Sequence, residues 1–344
     1  MRFTMKFSKV LASFALSLFF HPALTLAQYT RTDLVSDDTD PNLVNGWGLT
    51  RSSGSPFWVS DNGTGLSTLY NGAGHKVPLT VTIPSAPNGA ATGTPTGTVF
   101  NITLGNPTPS FSLSKTASVP AIFLFATQDG TISGWNPGVD GTHALIAADR
   151  SKDGAVYTGL AITSDASGDF LYAADNRPNS RIDVFDKTFT RVNSFTDSSI
   201  PAGLAPYGIQ NIGGNLWVTF ASNKPSVVGF VVEFNPAGTV LMRFSGPLHS
   251  PWGLAMAPAN FGPFSGKLLV SNNVPDGKIN AFDPASGAFL GTLRDAEGED
   301  IVINQVWALQ FGNGGNGGQP TQLFFTAGPN QYRNGLFGVI TANP

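Results

Sequence analysis

A unit of three short β-prone runs joined by tight turns recurs along this chain, and no other feature restricts its fold so sharply. The clearest copy is GLAITSDASGDFLYAADNRPNSRIDVFDK, residues 159–187. Residues 160–163 are apolar, 165–169 form a turn, and 170–174 are again β-prone. A polar turn at 175–180 then leads into 182–185, with the alternation of a half-buried strand. The small residue that opens the unit returns at Gly48, Gly97, Gly159, Gly208 and Gly253, and as Ala308. The separations, about 49, 62, 49, 45 and 55 residues, suit one propeller blade per repeat. Six phases predict an all-β, six-bladed β-propeller.

The run Gly-Leu-Ala from Gly159, Leu-Tyr-Ala-Ala-Asp from Leu171 and Asn-Ser-Arg-Ile-Asp-Val-Phe-Asp from Asn179 resembles the NHL-repeat propellers. A second resemblance rests on PFWVSDNGTGLSTLYNG from Pro56, FATQDGTISGWNPG from Phe125, PWGLAMAPANFGPFSGKLLVSNN from Pro251, INAFDPASGAFLGTL from Ile279 and FTAGPNQYRNGLFG from Phe325. These are similar to a functionally uncharacterised family of exported proteins, some bacterial members of which carry a PEP-CTERM sorting tail. That resemblance implies fold and export, and implies no chemistry.

Residues 29–36 read as one isolated strand, whereas 306–310, 323–326 and 336–340 supply three strands at the other end. The N-terminal strand is therefore expected to complete the last blade, which removes the exposed edges of an open ring. Residues 1–27 stand apart: Arg2, Lys6 and Lys9 precede an apolar stretch at 10–20, and Thr25-Leu26-Ala27 offers small residues for cleavage. The expectation is a signal peptide at 1–27, a single propeller domain over 28–344, and a secreted, extracellular monomer with no membrane span. With 40 Gly, 25 Pro and 12% charged residues, the chain suits many short strands and tight turns.

The chain has 19 Lys and Arg against 22 Asp and Glu, and three of the basic residues fall in the leader, so the remainder carries a net charge of about −6. That disfavours nucleic acid as a partner. The absence of cysteine excludes disulfides, thiolate metal sites and cysteine nucleophiles. His75, His143 and His249 fall at different repeat phases, which argues against a three-histidine zinc site. Gly312, Gly314 and Gly317 match a dinucleotide-binding spacing, but no strand-to-helix unit surrounds them, and a flexible hairpin loop is expected instead. Asn62 and Asn101 begin glycan acceptor patterns, relevant if the host is eukaryotic.

In a propeller meander, residues before the first strand and after the second converge on one mouth of the central channel. This nominates Asn45, Trp47, Asn62, Asp129, Asn176, Tyr207, Trp252, Asn273, Gln305 and Trp307 as ligand-binding candidates. Gln128, Thr158, Ser222 and His249 occupy neighbouring phases. The aromatic set, Trp47, Tyr207, Trp252 and Trp307, is expected to wedge between adjacent blades, with stacking on a sugar or apolar ligand as the other use. Asp61, Asp175, Asn223 and Asn272 form an oxygen-rich set of the kind a hard cation such as calcium takes. Similarity to gluconolactonase-type propellers implies that a cation there would activate water against a lactone, though no Glu stands at the corresponding early position. Asp and Asn also cap turns, which is the plainer reading of the set. The acidic loop at 295–300 is read as a solvated loop.

No catalytic signature rises above turn chemistry. The expected function is a binding or interaction module for a small molecule, glycan or protein at the channel mouth, with a calcium-type metal-dependent lactonase or hydrolase as the alternative.

Overall fold

The computed structural model describes Met1 and residues 28–343, apart from Asn88, Lys115, Arg177, Asn223 and Pro225. The leader expected at 1–27 lies outside the described residues except for Met1. Twenty-four strands follow in chain order: β1 (Tyr29–Ser36), β2 (Gly46–Thr50), β3 (Phe57–Asp61), β4 (Leu66–Tyr70), β5 (Lys76–Thr82), β6 (Pro95–Phe100), β7 (Phe123–Thr127) and β8 (Thr131–Trp135). Then come β9 (Leu145–Asp149), β10 (Tyr157–Asp165), β11 (Gly168–Asp175), β12 (Arg181–Phe185), β13 (Arg191–Phe195), β14 (Ala205–Ile212), β15 (Asn215–Ala221) and β16 (Val228–Phe234). The last are β17 (Val240–His249), β18 (Pro251–Met256), β19 (Leu268–Asn272), β20 (Ile279–Phe282), β21 (Phe289–Thr292), β22 (Val306–Phe311), β23 (Gln322–Ala327) and β24 (Leu336–Ala342).

They form six four-stranded antiparallel sheets, and the sheet order β1-β24-β23-β22 confirms that the first strand closes the last blade. Tyr29 pairs with Ala342 and Ser36 with Leu336 across this seam. The Tyr29 hydroxyl, buried in the core, donates to the Phe261 carbonyl at 3.0 Å and so ties the closing strand to blade five. Burial raises its pKa to about 12. The fold is thus a six-bladed β-propeller.

The repeated small residue has a steric cause. A Cβ at Gly48, Gly208 or Gly253 would fall inside van der Waals contact of the carbonyl oxygens of Thr96, Trp252 and Trp307, which belong to the inner strand of the next blade. Hydroxyls bridge the same junctions. Ser271 Oγ accepts from the Gly253 N–H at 2.8 Å and donates to the Trp307 carbonyl at 2.6 Å. Thr326 repeats the arrangement between the Ala308 N–H and the Trp47 carbonyl. A bulge in each inner strand, as between Pro251 and Leu254, leaves these N–H groups free of the ladder.

Two segments differ from the sequence reading or extend it. The run at 111–113 is an insertion between β6 and β7: Phe111 is fully buried, its N–H donates to Lys187 O at 3.0 Å, and its ring lies 5.5 Å from that of Phe189. The glycine-rich stretch is a pinned loop. Asn313 Oδ1 accepts from the Gly315 and Gly317 N–H groups while its Nδ2 donates to Ser52 O and Ser55 O. Among the described residues no helix is long and apolar enough to cross a membrane.

Candidate ligand site at the channel mouth

The residues preceding the small repeat positions are Trp47, Thr96, Thr158, Tyr207, Trp252 and Trp307, and all but Thr96, whose Oγ1 donates to Tyr157 O of the next blade at 2.8 Å, reach the axis. The four aromatics meet one another there, packing between adjacent blades and also across the axis. Trp47 stacks on Trp307 at 3.7 Å and 16°, and Trp307 lies edge-on to Trp252 at 5.9 Å and 86°. Tyr207 comes from the blade opposite that of Trp47 and still stands 6.2 Å from it. Trp252 Nε1 donates to Thr158 O at 2.9 Å, and Trp307 Nε1 to Asn45 Oδ1 at 2.8 Å. Trp47 Nε1 is buried with no hydrogen-bond partner.

Below this cluster an apolar collar of Leu49, Leu160, Ile209, Leu254 and Leu309 leaves a void of only about 20 Å³. Above it opens a cavity of about 460 Å³ to which all six blades contribute, within the roughly 300–1,000 Å³ range of small-molecule sites. Its wall includes Gln128, Asn176, Tyr207, Asn273, Gln305 and Tyr332 over a Trp47 floor. None of the described residues lining it is charged.

Left-handed backbone shapes the rim. Asn45, Ser250 and Gln305, the residues entering the inner strands of blades one, five and six, have φ of 49, 47 and 52°. Asn330, Gln331 and Tyr332 follow one another at 55, 58 and 65°. Such non-glycine conformations cost about 1–3 kcal/mol each and gather at functional sites. The turn is held by side chains: Gln305 Oε1 accepts from the Gln331 N–H at 2.8 Å, and the Tyr332 hydroxyl donates to Asn273 Oδ1 at 2.8 Å. Burial raises the Tyr332 pKa, against the hydrogen bond from Gln305, so this phenol stays neutral.

Of the ten ligand candidates, Trp47, Asn176, Tyr207, Asn273 and Gln305 line the cavity. Trp252 and Trp307 are buried in its floor. Asn45 and Asn62 stand behind the wall: Asn45 Nδ2 donates to Asn62 Oδ1, and Asn62 Nδ2 to Gln128 Oε1, both at 3.1 Å. Asp129 turns away from the wall, accepting from the Thr94 N–H at 2.9 Å, while its neighbour Gln128 takes the lining position. Val156, Ser250, Pro275 and Tyr332 also line the cavity and lay outside the sequence argument. Tyr332 reaches it through a left-handed turn that no local pattern announces.

The described members of the oxygen-rich set do not converge on one point: each is held in its own surroundings. Asp175 accepts from the Val156 N–H at 3.0 Å and Asn179 Nδ2 at 2.7 Å, and burial still raises its pKa. Asp61 is fully buried, and neither carboxyl oxygen finds a partner of hydrogen-bonding geometry. Burial pushes its pKa well above the ordinary carboxylate range; Thr68 pulls the other way, and the nearby Asp40 carboxylate adds to the rise. Asp40 itself bonds the Tyr70 hydroxyl at 2.6 Å and Lys76 Nζ at 2.8 Å. Asn272 donates to Pro247 O and accepts from the His249 N–H. Asn223 lies outside the described residues. Among those described, no group of three or more His, Asp or Glu side chains stands close enough to hold a metal ion.

His75 and His143 lie in the loops after β4 and before β9, far along the chain from His249 at the mouth. The acidic loop at 295–300 caps itself, with Asp295 Oδ1 accepting from the Glu297 and Glu299 N–H groups. Both glycan acceptor amides are engaged: Asn101 is fully buried and donates to Ser110 O and Ala121 O, and Asn62 is bonded as above.

No family model matches the chain, the NHL repeat included. Among solved structures, a gluconolactonase from Xanthomonas campestris shares the fold at TM-score 0.57 and 14% identity, covering 94% of this chain and 93% of that one. A streptogramin B lyase does so at TM-score 0.52 and 11% identity, covering 94% and 100%. These likenesses show a propeller and nothing of its chemistry. In sequence, the uncharacterised protein R648 of Acanthamoeba polyphaga mimivirus is 32% identical over 321 residues, 88% of this chain and 76% of that protein. Protein L690 of the same virus is 31% identical over 326 residues, 88% and 81%. These relatives are viral proteins, where the sequence resemblance had pointed to exported, in part tail-bearing bacterial ones. This six-bladed propeller therefore belongs to the same family as mimivirus proteins R648 and L690.

Proposed function

We propose that the protein is an exported binding module that holds an uncharged, ring-bearing ligand in the blind cavity at its channel mouth. The observation that carries this is the cavity itself: six blades supply amides, hydroxyls and aromatic faces over a tryptophan floor, with no charge among its described lining residues. Amide groups both donate and accept, and aromatic faces take flat or C–H-rich surfaces, so together they orient a neutral polar ring. The leader-like residues 1–27 support export.

The metal-dependent hydrolase has less support. Asp175 is committed to its own turn, and Asp61 is fully buried in blade one near Asp40 and Tyr70, so neither carboxylate is exposed to a substrate at the mouth. The test is a panel of neutral small molecules screened by calorimetry against the purified protein and its Tyr207→Ala variant, with metal content measured alongside. Saturable binding lost in the variant supports the reading. Stoichiometric calcium whose removal abolishes lactone hydrolysis would replace it with the enzyme.

A further inference from the structure

Beside the mouth, between blades four and five, lies a second cavity of about 530 Å³ walled by Pro247, His249, Asn272, Asn280 and Thr292. Pro275 belongs to the wall of both cavities. The consecutive residues Asn272 and Asn273 at the end of β19 are shared out between them, the first lining the lateral cavity and the second the central one. The two therefore form adjoining compartments on the same face of the propeller.

We infer that the ligand is a neutral oligosaccharide, one end of which sits in the central cavity while the chain passes over Pro275 into the lateral one; this rests on the reading of the central cavity as a ligand site. The lateral wall suits hydroxyls. Asn272 and Asn280 each spend one N–H on the Pro247 carbonyl, at 2.8 and 2.7 Å. Their Oδ1 atoms accept from the His249 N–H and the Thr292 hydroxyl at 3.1 and 2.9 Å. An asparagine amide has two N–H groups and two lone pairs, so each retains one of both kinds, held in a fixed orientation. Two charged side chains stand among the described residues of this wall: Lys278, paired with Asp300 at 2.8 Å, and the exposed Asp276 carboxylate, which would repel an anion, so neither calls for a phosphate. A compact ligand uses one compartment. A chain of repeated, uncharged, hydroxyl-bearing rings uses both, and a rigid Pro275 divider fits the linkage between rings.

The experiment is calorimetric titration of the whole protein with cello-, xylo- and chito-oligosaccharides of increasing length, beginning from the monosaccharide. In one series the affinity is expected to rise about tenfold or more from one to three or four units and then level off, as each added ring fills a preformed surface. Ser226→Trp, at an exposed edge of the lateral cavity, is expected to abolish that gain and leave monosaccharide binding unchanged. Asp276→Trp, exposed on the blade-five side of the same cavity, does the same and guards against one variant failing to fold. Affinity independent of length, or a gain that survives both variants, overturns the inference while the central site stands. Absence of binding by every series overturns it as well, and leaves the central site to the wider panel of neutral ligands.

Discussion

The rings of Trp47 and Tyr207 stand 6.2 Å apart at 80°, although they come from blades that face each other across the propeller. A gap that small means the channel is shut at this level, and the mouth above it is a closed-bottomed cup. Every other property assigned to the site depends on that floor.

The floor is held by indole hydrogen bonds as well as by packing. Trp307→Phe keeps most of the ring contacts but leaves Asn45 Oδ1 without its donor in a buried place. An unsatisfied buried acceptor costs about 1–3 kcal/mol, to be read from the urea midpoint at unchanged m-value. A variant as stable as the parent would show that the bond is dispensable.

Close approach of the inner strands makes Gly208→Ala costly. Its Cβ would meet the Trp252 carbonyl, whereas a Cβ at Gly54 meets nothing within 4 Å. Gly208→Ala is expected to lose about 1–3 kcal/mol as an overpacked site, and Gly54→Ala to stay within about 0.5 kcal/mol of the parent. Equal melting temperatures for the two would contradict the packing account.

Asp61 sets a pH dependence whose sign follows from burial. Its folded pKa is raised above the unfolded value of about 4, so the folded state binds the proton more tightly. The stabilisation is complete below that unfolded value and is lost as pH rises through the folded one. Asp61→Asn removes the titration. Urea unfolding is expected to show the variant gaining on the parent by at least about 1 kcal/mol between acidic and alkaline buffers. A constant difference across that range would mean that Asp61 is already solvated.

The seam between β1 and β24 carries ring closure. Removal of residues 28–36 leaves β24 as an open edge and strips Tyr29 from the Phe261 carbonyl. The truncated chain is expected to lose cooperative unfolding and to associate through the bare edge. A monomer with a sharp transition would show that five complete blades and a partial one suffice.

Much of this architecture was legible in the residues. The small residue at Gly48, Gly208 and Gly253 recurs because backbones of neighbouring blades nearly touch there, and a steric demand of that kind writes itself into sequence at fixed intervals. The isolated strand at Tyr29–Ser36 made sense only with a partner at the far end of the chain. The site was legible in part. Phase gave the level of Trp47, Tyr207, Trp252 and Trp307, but not whether their rings turn to the axis or between blades, which depends on rotamers chosen by the whole ring. Asp129 and Gln128 were equally placed by phase, and the Thr94 N–H decided which one left the wall. Tyr332 enters from a left-handed turn fixed by Gln305, a partner remote in sequence.

The most direct measurement of the central claim is the indole N–H spectrum of the ¹⁵N-labelled protein during titration with a bound neutral ligand. The chain has six tryptophans, and Trp47 is assigned from Trp47→Phe. A saturable shift is expected of the Trp47 Nε1–H signal, the unpartnered donor in the cup floor. Trp58, stacked on Phe123 at 4.1 Å between blades one and two, should stay still. A ligand that binds with Trp47 unmoved, or that shifts Trp58 as strongly, would place binding elsewhere and contradict the account.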